Sequence, residues 1–157
     1  MKHIIYALVE NKPGVLARIS SLFSARGFNI DSLAVGETHD PTMSRVSLVV
    51  DAKEEKILDQ IKKQLEKLVD VISVTDLTKK KFFERELILV KVKTNKMTKQ
   101  KLETLVKKFS ATILSYNEKA AVIEAIGEKK LLMELLDCLQ PIGIEELVRT
   151  GRIAIAQ

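Results

Sequence analysis

Asn11, Gly14 and Asn29 are the residues best placed to do chemistry, and that chemistry is recognition, not bond breaking. Asn11-Lys12-Pro13-Gly14 is a polar turn between a strand pattern ending at Val9-Glu10 and an amphipathic helix pattern opening at Val15-Leu16. The first N–H groups of a helix have no carbonyl partner within it and carry the positive end of its dipole. They form a site for a small anion such as a carboxylate. Gly14 lacks a Cβ, so it either lets the backbone approach such a ligand closely or simply fits a tight turn. Asn29 lies between Phe28 and Ile30 and so points to the opposite strand face. Its amide either accepts from an ammonium group or decorates an exposed sheet edge.

The remaining candidates carry less. The sequence holds no Gly-rich phosphate loop, catalytic triad or metal-ligand spacing, so no catalytic residue and no metal ligand is assigned. His3 and His39 are far apart and read as structural or surface groups. Cys138, among Leu135, Leu136 and Leu139, reads as a small buried hydrophobe. Asp40, ahead of Pro41, is expected to bond the local backbone. Arg45 falls on the non-core face of its strand.

The elements that must position the turn follow from apolar spacing. Residues 2–10 place Ile4, Tyr6 and Leu8 on one face and Ile5, Ala7 and Val9 on the other, which predicts a central strand covered on both sides. Val15, Leu16, Ile19, Leu22 and Phe23 form a helical stripe. Pro13 suits the first helical turn and Gly27 the stop. Strands are predicted over 28–37 and 43–51, a helix over 54–68 and a strand over 69–77. The order βαββαβ is ferredoxin-like, an antiparallel sheet with helices on one face. In that arrangement the second strand lies at the sheet edge, where it invites pairing with another chain and would bring Asn29 of one copy toward the helix start of the other.

Lys79-Lys80-Lys81 reads as a linker, and the pattern then repeats. A strand is expected over 84–93 and a helix over 98–109, followed by a hairpin of 111–116 and 119–126. A helix over 128–139, with Leu131, Leu132, Leu135 and Leu136 on its stripe, leads to strand material over 144–155 broken near Thr150-Gly151. The predicted fold is α+β, with two ferredoxin-like modules at 1–78 and 84–157 joined by residues 79–83. Aligning the halves at an offset of 84 sets Asn95-Lys96-Met97-Thr98 opposite Asn11-Lys12-Pro13-Gly14 and Ile113 opposite Asn29. The second copy lacks Pro-Gly, so Gly14 and Asn29 answer to something local to the first module.

Composition narrows the function class. The chain has 157 residues, 46% hydrophobic and 4% aromatic, which predicts an aliphatic core. Residues 1–78 hold 10 Lys/Arg against 11 Asp/Glu, and 79–157 hold 16 against 10, so net charge runs from −1 to +6. The basic half is either a solvated surface or a dock for an acidic partner. A single cysteine, no membrane-length apolar run and a start without signal-peptide layout point to a reducing, cytoplasmic setting and no membrane partner.

Val9-Glu10-Asn11, Pro13-Gly14-Val15-Leu16, Leu22-Phe23-Ser24, Arg26-Gly27-Phe28-Asn29-Ile30, Asp40-Pro41-Thr42-Met43-Ser44-Arg45 and Arg85-Glu86-Leu87 carry a resemblance. They resemble the ACT-domain family of amino-acid sensors and, over essentially the full chain, the small regulatory subunits of acetolactate synthase. The resemblance implies an N-terminal ACT domain at 1–78 for sensing and dimerisation, and a C-terminal ferredoxin-like domain at 84–157. It implies a non-catalytic subunit that activates a catalytic large subunit and confers feedback inhibition by a branched-chain amino acid, most often valine. Thiamine diphosphate and Mg, with FAD as a further candidate, would belong to the large subunit, and this chain would bind no cofactor. Asn11, Gly14, Val15 and Leu16 would line one side of the valine site, and Asn29 and Ile30 the other, in a homodimer. Lys12-Pro13 departs from a fixed motif, and Pro13 is expected to remove one N–H from the helix start.

Two other functions compete with this reading. A nucleic-acid-binding ferredoxin-like module fits the basic second half, but the strands lack paired stacking aromatics, so no nucleic-acid partner is expected. A small acyl-phosphate hydrolase shares the fold but needs an Arg in the loop after the first strand, and residues 10–16 contain none.

Overall fold

A computed structural model of the chain describes residues 2–52, 54–95 and 98–157. Among these the chain divides into two compact units, residues 1–83 with 152–157, and residues 84–151. The last six residues, which the sequence pattern groups with the second module, therefore lie in the first unit. The expected linker is also short, because strand structure resumes at Phe82.

The first unit runs β1 (Lys2–Glu10), α1 (Val15–Ala25), β2 (Ile30–Glu37), β3 (Met43–Asp51), α2 (Glu55–Leu65) and β4 (Val71–Asp76). Its strands order as β2-β3-β1-β4, all antiparallel neighbours, with β2 at one edge. One sheet face carries the helices. Ile5, Ala7 and Val9 of β1 and Val46, Leu48 and Val50 of β3 meet Ile19 and Phe23 of α1 and Ile61 and Leu65 of α2. Burial of each Val, Leu, Ile or Phe side chain among these stabilises by about 1.5–3 kcal/mol. An exposed ion pair such as Lys2–Asp31 at 3.0 Å contributes only about 0–1 kcal/mol, so packing decides the fold.

The other face of β1 is covered as well, by the end of the chain. Ile4 and Val49 pack with Leu77 and with Ala154 of a short strand, β9 (Ile153–Ala156). The β9 strand pairs with β5 (Phe82–Lys93), and Gln157 N–H donates to Lys81 O at 3.0 Å. Arg45 lies over the Tyr6 ring at 3.6 Å and donates through Nη2 to Ala154 O at 2.6 Å. Its side chain is thus spent on holding the tail. Arg152 N–H donates to Ser32 Oγ on β2 at 2.9 Å.

The second unit repeats the plan with β5, α3 (Thr98–Phe109), β6 (Thr112–Tyr116), β7 (Ala120–Gly127), α4 (Lys129–Leu139), a 3-10 turn and β8 (Ile144–Arg149). Strand order is β6-β7-β5-β8. Ile88, Val90 and Val92 pack with Leu102 of α3 and Leu132 and Leu135 of α4. Leu131 departs from the predicted stripe and is 37% exposed. Cys138 is half-buried against the same core, less enclosed than its leucine neighbours suggest.

The two copies align one residue differently from the sequence-based register. Gly27 and Ser110 are the left-handed positions closing α1 and α3, at φ 65 and 51. Bulges at 8/9 and 30/32 in the first unit recur at 91/92 and 113/115 in the second. These features stand 83 residues apart, so Asn29 faces Thr112 and not Ile113. Gly14 then corresponds to Met97, and that twin turn, with Lys96, lies outside the described residues.

Candidate functional site

The β1–α1 turn is fixed from several sides. Asn11 N–H donates to Thr42 O at 2.7 Å, and its Nδ2 donates to Glu37 Oε1 at 3.0 Å and Pro41 O at 2.9 Å. Asn11 therefore ties the helix approach to the end of β2 and to the β2–β3 turn. That turn holds itself together through Asp40, whose Oδ1 accepts from Thr42 N–H at 2.9 Å and Thr42 Oγ1 at 2.6 Å. The Thr42 hydroxyl first, then its amide, keeps the Asp40 carboxyl below the usual carboxylate range. Lys12 pairs with Glu10 at 2.8 Å, and that hydrogen bond and charge raise the Lys12 pKa.

Gly14 is the N-cap of α1 and takes φ 84, a left-handed conformation that other residues reach only with strain. A Cβ there would also stand 3.1 Å from Arg18 Nη1. Pro13 precedes this cap and lies outside the helix, so its missing N–H takes nothing from the first turn, contrary to expectation. Arg18 N–H donates to Gly14 O at 3.0 Å, while Val15 N–H makes only a long bond to Lys12 O at 3.4 Å. The helix start has no side-chain cap and no acidic residue in its first turn. At α4, by contrast, Lys129 N–H donates to the Glu84 carboxylate at 3.3 Å. Val15 is 5% exposed and its side chain belongs to the core, whereas Leu16 is 43% exposed beside the turn.

Asn29 and Ile30 stand at the other end of α1. The helix closes on a Schellman motif, with Phe28 N–H donating to Phe23 O at 3.0 Å and Gly27 N–H to Ser24 O at 3.1 Å. Phe23 and Phe28 meet edge to face at 6.4 Å, the apolar contact that accompanies this cap. Phe28 and Ile30 then face the core, and Asn29 faces away, exposed, with Nδ2 donating to Asp31 Oδ1 at 2.9 Å. The 11 residues of α1 separate the two groups by about 16 Å. Within one chain Asn11, Gly14 and Leu16 come together, and Asn29 and Ile30 do not join them.

Two residues at the turn escape sequence reasoning. Arg18 donates to Asp70 Oδ2 through Nε at 2.7 Å and Nη2 at 2.6 Å, and Asp70 is 7% exposed. The available signal is an acid inside the apolar run Leu68-Val69-Asp70-Val71. Elsewhere, His3 is buried and shares a 3.1 Å hydrogen bond with Thr78 Oγ1, a structural role. Among the described residues no group of His, Cys, Asp and Glu is close enough to hold a metal ion, and no helix is long and apolar enough to cross a membrane.

Residues 5–73 match the family model described as an AHAS small subunit-like ACT domain, and residues 85–157 match the one described as small subunit of acetolactate synthase. The chain is 43% identical over 155 residues to the acetolactate synthase small subunit of Mycolicibacterium smegmatis, covering 99% of this chain and 91% of that protein. It is 38% identical over 157 residues to that of Bacillus subtilis, covering 100% and 91%. The crystal structure of the acetolactate synthase small subunit from Thermotoga maritima superposes with a TM-score of 0.90 at 36% identity, covering 100% of this chain and 98% of that one. The uncapped α1 start on a ferredoxin-like module and these full-length matches lead to one conclusion: the chain belongs to the family of acetolactate synthase small subunits, regulatory subunits that carry an ACT domain.

Proposed function

We propose that this chain is the non-catalytic partner of a thiamine-diphosphate-dependent large subunit, which it activates. In this reading it also confers feedback inhibition on that enzyme by binding a free branched-chain amino acid, with valine the first candidate. The names of the relatives support the partnership. Thiamine diphosphate, Mg and FAD, where used, reside in the large subunit, and the complex works in the cytoplasm. The N-terminal module, residues 1–78, does the sensing and the dimerisation.

The observation that carries the reading is the start of α1, with a glycine cap at φ 84, no side-chain cap and no acid in the first turn. The amides of Gly14 to Leu16 take the effector carboxylate, and Leu16 meets its aliphatic side chain. The ammonium group needs a second polar partner, which Asn29 of another copy supplies. An antiparallel pairing of two β2 edges, centred near Leu33 and Ala34, sets Ile30 of one copy across from Glu37 of the other. Glu37 is the residue that Asn11 holds at 3.0 Å. The same pairing therefore carries Asn29 toward the helix start of its neighbour, and Ile30 with it.

Isothermal titration of the chain with L-valine tests this. Gly14→Asp places a carboxylate where the ligand carboxylate goes, and it strains a residue at φ 84. We expect its valine affinity to fall at least about ten-fold, the loss of one charge-assisted hydrogen-bond set, and the large subunit paired with it to escape valine inhibition. Unchanged affinity in Gly14→Asp removes the turn from the site.

A further inference from the structure

Asp70 holds both ends of the β1–α1 turn. Its carbonyl accepts from Glu10 N–H at 2.9 Å, at the last residue of β1. Its Oδ2 accepts from Arg18 Nε at 2.7 Å and Nη2 at 2.6 Å, in the first turn of α1. Arg18 N–H in turn bonds Gly14 O at 3.0 Å, and its Nη1 occupies the space 3.1 Å from where a Cβ on Gly14 would stand. The carboxylate is nearly enclosed, with its side chain 10% exposed. The Arg18 side chain is 47% exposed, so the pair is half solvated and its strength comes from two charge-assisted hydrogen bonds onto an enclosed carboxylate.

We infer that Asp70 is a positioning residue for the effector site, acting through Arg18 and the Glu10 amide to set the spacing between the end of β1 and the free amides of α1. This rests on the carboxylate-binding role proposed above. The turn between the anchors has its other tether in Asn11, on the β2 side. Asp70 supplies the tether on the β4 side, so the helix start is held between two sheet edges. Val71 N–H bonds Leu68 O at 3.0 Å, which closes the turn that carries Asp70 between α2 and β4. A shift of the turn on ligand binding is therefore felt at the start of β4, beside Asp70.

The test uses the full chain and two readouts. In the ligand-free protein, Asp70→Asn should speed amide hydrogen exchange of Glu10 and Arg18 by about ten-fold or more, with β3 amides unchanged, as for loss of an opening-limited local contact. In titrations with L-valine, Asp70→Asn and Arg18→Met should each weaken binding by about ten-fold, as for a charged hydrogen-bond partner lost. The double variant should lose no more than either single one, and Asp70→Glu should recover part of the loss. A lowered melting temperature with native valine affinity in Asp70→Asn overturns the inference, because the residue is then structural only. Should the native chain bind no valine, leucine or isoleucine, the effector reading fails and the exchange readout decides the clamp alone. Unchanged protection of Glu10 and Arg18 then overturns it.

Discussion

Asn11 serves geometry first, and the proposed site asks recognition of it as well. It spends both amide hydrogens on Glu37 and Pro41, leaving its carbonyl oxygen as the group with capacity toward a ligand. The support behind it is the Asp40 turn, and that support is pH-dependent. Two donors from Thr42 favour the ionised Asp40 and lower its pKa. The folded pKa lies below the unfolded one, so the stabilisation is complete above the ordinary carboxylate range and is lost as pH falls through the depressed value. Thr42→Val removes the hydroxyl donor, the larger cause, and keeps the amide. The Asp40 carboxyl should then titrate nearer the ordinary value, visible as a shift of its side-chain carbon resonance with pH. A titration curve identical to that of the native chain would show that the hydroxyl does not hold the carboxylate.

The paired modules put one helix-closing device to work with two residue types. Gly27 takes the left-handed position after α1 at φ 65 without cost, while Ser110 takes it after α3 at φ 51. Ala111 N–H still closes on Val106 O at 2.8 Å, so the motif is the same and only the residue is unfavourable. Ser110→Gly should stabilise the second unit by about 1 kcal/mol, the usual difference for a non-glycine residue held left-handed. The urea midpoint of the chain reads it, and a lowered midpoint would mean that the Ser110 side chain contributes more than its backbone costs. Such elements were open to reading from the residues. Alternation along 2–10 predicts a strand with two covered faces, and both are covered. The 3.6-residue spacing predicts α3 over 98–109, its observed span. Local pattern does not reveal that Ala154 returns to Ile4, or that Arg45 is held over Tyr6 beneath the tail. The tail contacts, Ala154 with Ile4 and with Arg45, join residues more than a hundred positions apart, and an apolar tail matches many faces equally well. The Arg18–Asp70 pair joins residues 52 positions apart; Asp70 stands out within its apolar run, but nothing local says that Arg18 is its partner.

At the scale of the whole molecule, the proposed effector site has its two halves about 16 Å apart along one helix, so the proposal requires two chains to associate. Both edges of the first sheet are candidates, β2 and β4. The β2 edge is the longer, at eight residues against six, and it carries small side chains at Ser32, Ala34 and Gly36 that let a second strand approach. Val35 on β2 is 47% exposed, an apolar group that pairing would shelter. If effector contacts come from both chains, ligand binding and dimerisation are linked. Each must strengthen the other by the same factor, and couplings of this kind are about 5–150-fold. Sedimentation at graded protein concentration should show valine lowering the dimer dissociation constant by a factor in that range, and dilution below that constant should weaken valine binding reciprocally. Val35→Lys sets a charge on the pairing edge, a common device against strand association. It should weaken dimerisation and valine affinity together, although Val35 is not among the residues assigned to the ligand. A monomeric Val35→Lys chain that binds valine with native affinity would mean that one chain holds the complete pocket, and Asn29 would then have no part in it.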